Sequence, residues 1–428
     1  MIGKNLPRRE FLKQASSIFG AGALAAFAPV HEAFAAQLAN LPVPATGPNT
    51  FADLRQEYLL SPDVTYFNHG SIGTIPRIVQ EARQGYLDLC ETDPWLYMWS
   101  KPWGEARAHT RENAASFMGC AAEEVVFTHN ATEAFNLLAQ GLSLLAGDEV
   151  VFSSMNHAGA SVAWFHYAKA TGFSVRKFDF PIHDAPTLTT DDIVTLYREN
   201  LTDQTRVLVL PHIDNLVGLR HPVKEIADMA RSRGVEFIAV DAAQAVGMIP
   251  VNIATLNVDF YATSAHKWLQ APKGVGLLYM RKAAQASVRP MWVTWGQKSW
   301  AGSVKIFEDY GTRNLAEVLT LSDAIAFQKR LEEQGALERK RALWEYVRQA
   351  VAARPNLTWR SPTQWELASS LYTIGLPGRD SRDVSRDLFQ NHGYVFRPFH
   401  GDDWNTLRLS LNVFNTEKEI DRFFELLG

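Results

Sequence analysis

Ser264-Ala265-His266-Lys267 sets a lysine beside a hydroxyl and an imidazole. It follows the apolar run Val258-Asp259-Phe260-Tyr261-Ala262 and precedes the glycine-spaced Pro272-Lys273-Gly274-Val275-Gly276. A strand-end amine among small polar groups can form a Schiff base with an aldehyde while its neighbours hold a phosphate. Pyridoxal phosphate (PLP) requires both. Read alone, Lys267 is a solvated surface charge. The upstream stretch Val235-Glu236-Phe237-Ile238-Ala239-Val240-Asp241-Ala242-Ala243-Gln244 changes that reading, because an apolar strand delivers Asp241 to its C-terminal edge. An ionised carboxylate beside a pyridine nitrogen keeps that nitrogen protonated, which makes the ring an electron sink for a carbanion at the substrate Cα. Lys267, displaced by the substrate amine, can then move protons at that carbon.

Further polar residues stand at strand ends, where ligands gather in open α/β sheets. Thr128-His129-Asn130-Ala131-Thr132-Glu133 joins a strand to a helix, so its N–H groups and helix dipole suit a phosphate. An ordinary helix capped by Asn130 or Thr132 explains the same residues. His157 in Ser154-Met155-Asn156-His157 could stack on a pyridine ring or make a local hydrogen bond. Asn215 in Pro211-His212-Ile213-Asp214-Asn215, with Gln244, could reach the ring's phenolic oxygen, and Asn215 also reads as a turn residue.

The elements that must position these groups alternate. Strands are expected at Glu124-Val125-Val126-Phe127-Thr128, Glu149-Val150-Val151-Phe152, Ser174-Val175-Arg176-Lys177-Phe178 and Arg206-Val207-Leu208-Val209-Leu210. The two motif-bearing strands and Gly276-Leu277-Leu278-Tyr279-Met280 follow, with helical stretches between, one running from Thr132 toward Leu142. That order implies a mostly parallel sheet with covered faces. After about Asn314 a long charged amphipathic helix is expected. Strands at Ser370-Leu371-Tyr372-Thr373-Ile374 and Thr406-Leu407-Arg408-Leu409-Ser410-Leu411 then belong to a smaller α+β domain. The organisation read from the chain is a leader over residues 1–35, an arm over 36–65, with an extended Pro-containing stretch at 36–50, a large domain over 66–313 and a small one over 314–428.

Pro7-Arg8-Arg9-Glu10-Phe11-Leu12-Lys13 reads as a twin-arginine export motif, with a Gly/Ala-rich apolar segment from Ile18 to Ala28 behind it. Ala33-Phe34-Ala35 offers small residues at signal-peptidase spacing, placing cleavage after Ala35 and the mature protein in the periplasm, delivered by the twin-arginine translocase. A basic tail with a short helix is the plainer alternative. Gly20-Ala21-Gly22-Ala23-Leu24-Ala25 matches a dinucleotide fingerprint but lacks a preceding strand. The leader carries four basic and two acidic residues, so its removal takes the formal charge from -4 to -6. An acidic chain argues against a nucleic-acid partner. Beyond the leader no apolar run is long enough to span a bilayer. Cys90 and Cys120 permit one disulfide but neither a disulfide framework nor a thiolate zinc site. The roughly 390 residues that remain can bury a core large enough for two domains.

From Asn68-His69-Gly70-Ser71-Ile72-Gly73 to Phe414-Asn415-Thr416 the chain resembles the class V aminotransferases of the fold-type I PLP enzymes, near the isopenicillin N epimerase and cysteine desulfurase branch. The resemblance implies pyridoxal 5'-phosphate as cofactor, with Lys267 as the Schiff-base lysine, Asp241 as partner of the pyridine nitrogen and His157 as the ring-stacking histidine. It places Asn215 and Gln244 at the phenolic oxygen and Ala131, Thr132, Ser264 and His266 at the phosphate. Gly311-Thr312 matches a segment lent to the phosphate by a second subunit, which implies a homodimer. Arg408 matches the arginine that grips the substrate carboxylate, where a planar bidentate fork suits better than lysine. A surface charge on a strand is its plainer reading.

Departures from the family narrow the reaction. Desulfurases carry a nucleophilic cysteine on a loop that here reads Arg397-Pro398-Phe399-His400-Gly401-Asp402-Asp403-Trp404, so desulfuration is not expected. Trp95, Trp99 and Trp103 could line a wide pocket for an aromatic-bearing substrate or pack an interface. A class V chain with a twin-arginine leader resembles the periplasmic pyoverdine-maturation members of the family. That implies a glutamyl side group of a pyoverdine-type siderophore as substrate, decarboxylated and oxidised toward a succinamide. An aminotransferase or epimerase of free amino acids or their small derivatives shares the same cofactor residues. A metal-dependent hydrolase using His129, His157 and His212 lacks short ligand spacing and carboxylate company, so no metal is expected. A non-catalytic binding protein is disfavoured by the complete set of Asp241, Gln244, Ser264, His266 and Lys267.

Overall fold

The computed structural model describes residues 27–40, 51, 53–99, 101–401 and 404–428. The twin-arginine motif, the glycine-rich match beside it and the Pro-containing stretch 41–50 lie outside them. The first short strand is β1 (Thr65–Tyr66). A seven-stranded sheet then forms from β2 (Val125–Thr128), β3 (Glu149–Ser153), β4 (Ser174–Phe178), β5 (Thr205–Pro211), β6 (Phe237–Asp241), β7 (Phe260–Ser264) and β8 (Gly276–Met280). Its order is β2-β8-β7-β6-β5-β3-β4. Every expected strand is present. The sheet is parallel except that β8 runs antiparallel to both neighbours, pairing Gly276 with Thr128 on one side and Ser264 on the other.

Alternation along each strand sends side chains to opposite faces. Leu208 and Leu210 join one apolar layer, against the helices Arg77–Thr92, Val223–Ser232 and Leu315–Glu333. Val207 and Val209 join the other, against Ala131–Gly141 and Ala158–Thr171. With both faces covered, the inner strands read as continuous apolar runs. At the edge, β4 exposes Ser174 and the charged Arg176 and Lys177, which discourages further strand pairing.

The second layer system contains β9 (Thr358–Trp359), β10 (Leu371–Gly375), β11 (Tyr394–Val395), β12 (Arg397–Phe399) and β13 (Thr406–Ser410). An antiparallel sheet of order β12-β13-β10-β9 packs on the helices Ala336–Ala352 and Glu417–Leu427, while β1 pairs in parallel with β11. Two expectations differ here. The long helix after Asn314 is two helices, broken at Gln334 and Gly335, where Gly335 takes φ +85°. Its first half is buried on most sides and packs with the large domain, because Leu315, Leu319, Ile325 and Phe327 face that core and Glu317 is neutralised by Arg83 at 2.8 Å. The change of core therefore falls near Gly335 rather than 314. Conversely, Phe67 is buried with Leu343 and Phe423 of the small domain.

Residues 36–39 end a helix, Ala28–Ala39, rather than opening an arm. Phe27 and Phe34 are buried against the large domain, and Tyr86 shares a hydrogen bond with His31 at 3.0 Å. The expected cleavage point after Ala35 thus lies inside a docked helix. No helix among the described residues is long and apolar enough to cross a membrane.

Candidate active site

A cavity of about 350 Å³ opens at the carboxyl ends of the parallel strands. Ala131, Thr132, His157, Asn215, Asp241, Gln244, Ser264, His266, Lys267 and Arg408 all line it. The fold brings them together because they stand at or just after the ends of five strands of the same sheet, β2, β3, β5, β6 and β7, with Arg408 brought in from β13.

At one end stands the N-terminus of helix Ala131–Gly141. Asn130 is extended and caps it, its side chain accepting from the Glu133 N–H at 2.9 Å. The plainer capping reading therefore holds, and the capped end still faces the cavity. The Ala131 N–H donates to Ser264 Oγ at 3.0 Å, tying the helix to the end of β7. Gly276 makes this approach possible, since a Cβ there would stand 2.7 Å from Asn130 Cα. His266 Nδ1 is buried without a partner at the same end, and burial, then Lys267 and Lys273, push its pKa down to about 4. A neutral imidazole, a hydroxyl and a helix N-terminus form a donor set suited to a phosphate.

Asp241 is buried at the end of β6, and its Oδ1 accepts the Ala243 N–H at 3.0 Å. Lys267 follows β7; burial pushes its amine down to about 8, with Asp241 opposing and Arg408 assisting. Such an amine reaches its neutral, nucleophilic form far more easily than an ordinary lysine. His157 caps helix Ala158–Thr171 through Nδ1, which accepts the Gly159 N–H at 3.0 Å. That contact places any single ring proton on Nε2. Burial lowers its pKa while Asp241 opposes. Gln244 is pinned at both ends, donating from Nε2 to Gly70 O at 2.8 Å and accepting from Trp268 Nε1 at 2.7 Å. One amide N–H stays uncommitted.

Arg408 is buried on β13. Nη1 donates to Asn215 O at 2.8 Å, and Nη2 donates to Ser71 Oγ at 2.6 Å and Asn68 Oδ1 at 3.2 Å, while Nε has no partner. Burial, then the like charge of Arg397, lowers its pKa to about 10. An oriented, still-cationic fork remains available for a carboxylate.

Several functional residues escaped the sequence reading. Gly70 and Ser71 line the cavity, as do Arg397 and Phe399 on β12. The glycine-spaced polar run at 68–73 was a signal for the first pair, whereas nothing local marked the second. Thr312 is not in this cavity. It lines a separate one of about 330 Å³ with Trp99, Trp103, Trp295 and Trp300. Within one chain it therefore does not meet Ala131 and Ser264, and the role implied for it would require a second copy. His129 is engaged by Glu133 and Tyr310, and His212 by Tyr261, so these two histidines do not converge with His157. Cys90 and Cys120 are free thiols outside the cavity.

The sequence pattern described as aminotransferase class-V matches residues 66–423. The chain belongs to this family. Isopenicillin N epimerase of Amycolatopsis lactamdurans is 30% identical over 400 residues, covering 88% of this chain and 98% of the relative. Cysteine desulfurase of Salmonella agona (strain SL483) is 29% identical over 341 residues, covering 74% and 80%. Among solved structures, the cysteine desulfurase CsdA of Escherichia coli superposes with a TM-score of 0.75 at 25% identity, covering 90% of this chain and 98% of that one. The apo cysteine desulfurase of Thermococcus onnurineus NA1 superposes equally well, at 23% identity and 88% and 96% coverage. This chain is accordingly a PLP-dependent enzyme with the α/β fold of these relatives. The orphaned His266 Nδ1, the helix N-terminus at Ala131, the buried Asp241 and the depressed Lys267 amine fit PLP. Lys267 would hold its aldehyde carbon, Asp241 its ring nitrogen, and Ala131, Thr132, Ser264 and His266 its phosphate.

Proposed function

We propose that the enzyme works at the Cα of a glutamyl side group carried by a pyoverdine-type siderophore, removing its carboxyl group and oxidising that carbon to a succinamide-type amide. The observation that carries the Cα chemistry is the placement of Lys267, Asp241 and Arg408 around one cavity. Bound PLP supplies an electron sink for charge developed at Cα. The protein's own part is to present the substrate. Arg408 takes the carboxylate through its fork, Asn215 O and Ser71 Oγ keep that fork in place, and Lys267 holds or moves a proton beside Cα. Neutral His157 walls the site without adding charge. Written in full, R–CH(NH2)–COOH and O2 give R–CO–NH2, CO2 and H2O, with dioxygen as the acceptor. The twin-arginine leader supports export to the periplasm, where such a substrate is met, and the loop without cysteine supports a reaction other than desulfuration. We further propose a homodimer, in which Gly311-Thr312 of each copy completes the phosphate end of the other.

An alternative with its own support is racemisation or amino transfer on a smaller amino acid, favoured by the likeness to isopenicillin N epimerase. One experiment separates the two. The leader-free holoenzyme is treated with borohydride and mapped for a reduced adduct on Lys267. Untreated enzyme is then given a γ-glutamyl siderophore precursor in air, and products are read by mass spectrometry. A product lighter by CH2O, formed by wild type and not by Lys267→Ala, supports the siderophore reading. An unchanged mass with inverted Cα, or amino transfer to an added keto acid, supports the alternative. Siderophore processing that survives Lys267→Ala refutes both.

A further inference from the structure

Arg397 and Arg408 are cross-strand partners on β12 and β13, so both guanidinium groups project from one face of the small sheet. Phe399, two residues along β12, lies on the same face. Each guanidinium carbon stands 5.7 Å from its ring centroid, so the two cations sit no further apart than twice that distance. Both line the cavity with Lys267. Their surroundings differ. Arg408 is buried and held by three protein oxygens, whereas Arg397 is exposed to the cavity and has no hydrogen bond or ion pair to an acid among the described residues. Asp241 is the one acidic residue lining the cavity among the described residues, and the ring nitrogen would claim it. With one α-carboxylate on Arg408, a second fork of five donors would still face the cavity with no acid beside it among the described residues.

We infer that Arg397 is a second anchor for the substrate and donates to a carbonyl oxygen on the substrate's side chain, so the site selects glutamyl-type amino acids over those with alkyl side chains. The inference rests on the PLP reading above and deepens it. The oxygen belongs either to a free side-chain carboxylate or to an amide carbonyl. Phe399 supplies the apolar floor for the side chain's methylenes. A hydrogen-bonding fork built for an oxygen discriminates strongly against a ligand without one, because its donors are then desolvated and unpaired.

The test titrates the visible band of the holoenzyme with L-glutamate, L-glutamine and L-norvaline, which share length and differ at the side-chain end. Wild type should bind glutamate and glutamine at least about tenfold more tightly than norvaline, with glutamate ahead if charge matters and level with glutamine if a carbonyl suffices. In Arg397→Leu and the milder Arg397→Gln that ratio should fall below about threefold, whereas Arg397→Lys should keep part of it and Arg408→Leu should weaken all three ligands together. Variants are compared at equal band intensity, so a folding defect cannot imitate the change in ratio. Equal affinities in wild type, or an Arg397 variant that weakens norvaline as much as glutamate, overturns this inference alone. A protein that acquires no PLP band overturns both this inference and the reading beneath it.

Discussion

Gly73→Ala should dislodge the catalytic lysine from a distance. A Cβ at residue 73 would stand 2.0 Å from Lys267 O and 2.7 Å from His266 O, and both are backbone atoms. Neither can swing aside. The Gly73 N–H itself donates to His266 O at 2.9 Å, and the turn is closed by the Lys267 N–H on Ser264 O at 3.2 Å and the Ala271 N–H on Ala265 O at 3.0 Å. Relief therefore requires the 68–73 segment and the 264–271 turn to separate by about 1 Å. Overpacking of a close-packed site costs about 1–3 kcal/mol, which in a chain this long lowers Tm by a few degrees at about 2–4 °C per kcal/mol or less. The kinetic effect is larger, since a 1 Å displacement of a reacting group can cost about 10²-fold. Apo-protein mixed with PLP in a stopped-flow cell reports capture by Lys267 as growth of the visible band, and borohydride trapping confirms the residue. The control is Gly104→Ala, inside helix Lys101–Met118, where an added Cβ meets nothing within 4 Å. The same substitution there should stabilise by about 0.5–1 kcal/mol through helix propensity and leave capture unaltered. Wild-type capture and stability in Gly73→Ala would refute the reasoning.

Arg408→Lys keeps the charge but cannot reach Asn215 O, Ser71 Oγ and Asn68 Oδ1 together. Losing a buried charged anchor costs about 2–5 kcal/mol, so kcat/KM for an α-carboxylate substrate should fall between about 30-fold and several thousand-fold, with little change for the corresponding amine lacking that carboxylate. Arg111→Met strips the buried Glu308 of contacts at 3.0 and 2.7 Å, leaving the Phe127 N–H at 3.0 Å and Arg107 at 3.7 Å, and should cost about 3–5 kcal/mol by denaturant unfolding at pH 7. Burial pushes the Glu308 carboxyl up, but Arg111, Arg107 and Arg313 bring it below its ordinary 4.5. Its contribution is thus complete above about pH 4.5 and is lost as pH falls through the lower folded value. The gap between wild type and variant should close over that window, and a gap independent of pH would count against the pairing. Because Lys267 sits at about 8 rather than 10.5, PLP capture should rise through about pH 8. Removing the like charge in Arg408→Leu should move that inflection up, and Asp241→Asn should move it down. An inflection at the ordinary lysine value would contradict the assignment.

Much of the large domain was legible because its strands are buried on both faces. Runs such as Val207-Leu208-Val209-Leu210 admit few alternatives, and each ends at a polar residue that the sheet then gathers. Lys267 and Asp241 were readable for the same reason. The antiparallel course of β8 was not, since an apolar run carries no direction. The helix Leu315–Glu333 carries charges that suggest an amphipathic helix, yet Arg83 and the Tyr86–His31 pair receive its Glu317 and Asp323 inside the protein. Arg397 and Phe399 were invisible for a different reason. Their meaning comes from cross-strand register with β13, which no local pattern encodes. The tryptophans raise the same difficulty: Trp99 and Trp103 share a cavity with Trp295 and Trp300, nearly two hundred residues away.

The proposed carboxylate grip is assembled across domains. Arg408 belongs to the small sheet, Asn68 and Ser71 to the segment that leads from β1 back to the large domain, and Asn215 to the loop after β5. That loop is rigid for reasons of its own. The buried Asp214 carboxylate accepts N–H groups from Leu216, Val217 and Leu219 at 2.7, 2.8 and 2.6 Å. Burial nevertheless raises its pKa to about 6, so these bonds stabilise a costly charge rather than fully offset it. From the other side Ser369 Oγ donates to Gly218 O at 2.8 Å and Thr373 Oγ1 to Leu216 O at 2.5 Å. Gly218, at φ +69°, admits the small domain so closely that a Cβ would fall 1.8 Å from Leu371 O. The docking contacts of the two domains and the contacts that aim Arg408 are therefore neighbouring residues of one loop. A change in domain packing that moves Asn215 O would disturb the orientation of the guanidinium, and under the proposed function specificity for the substrate carboxylate would depend on that packing as well as on the arginine itself.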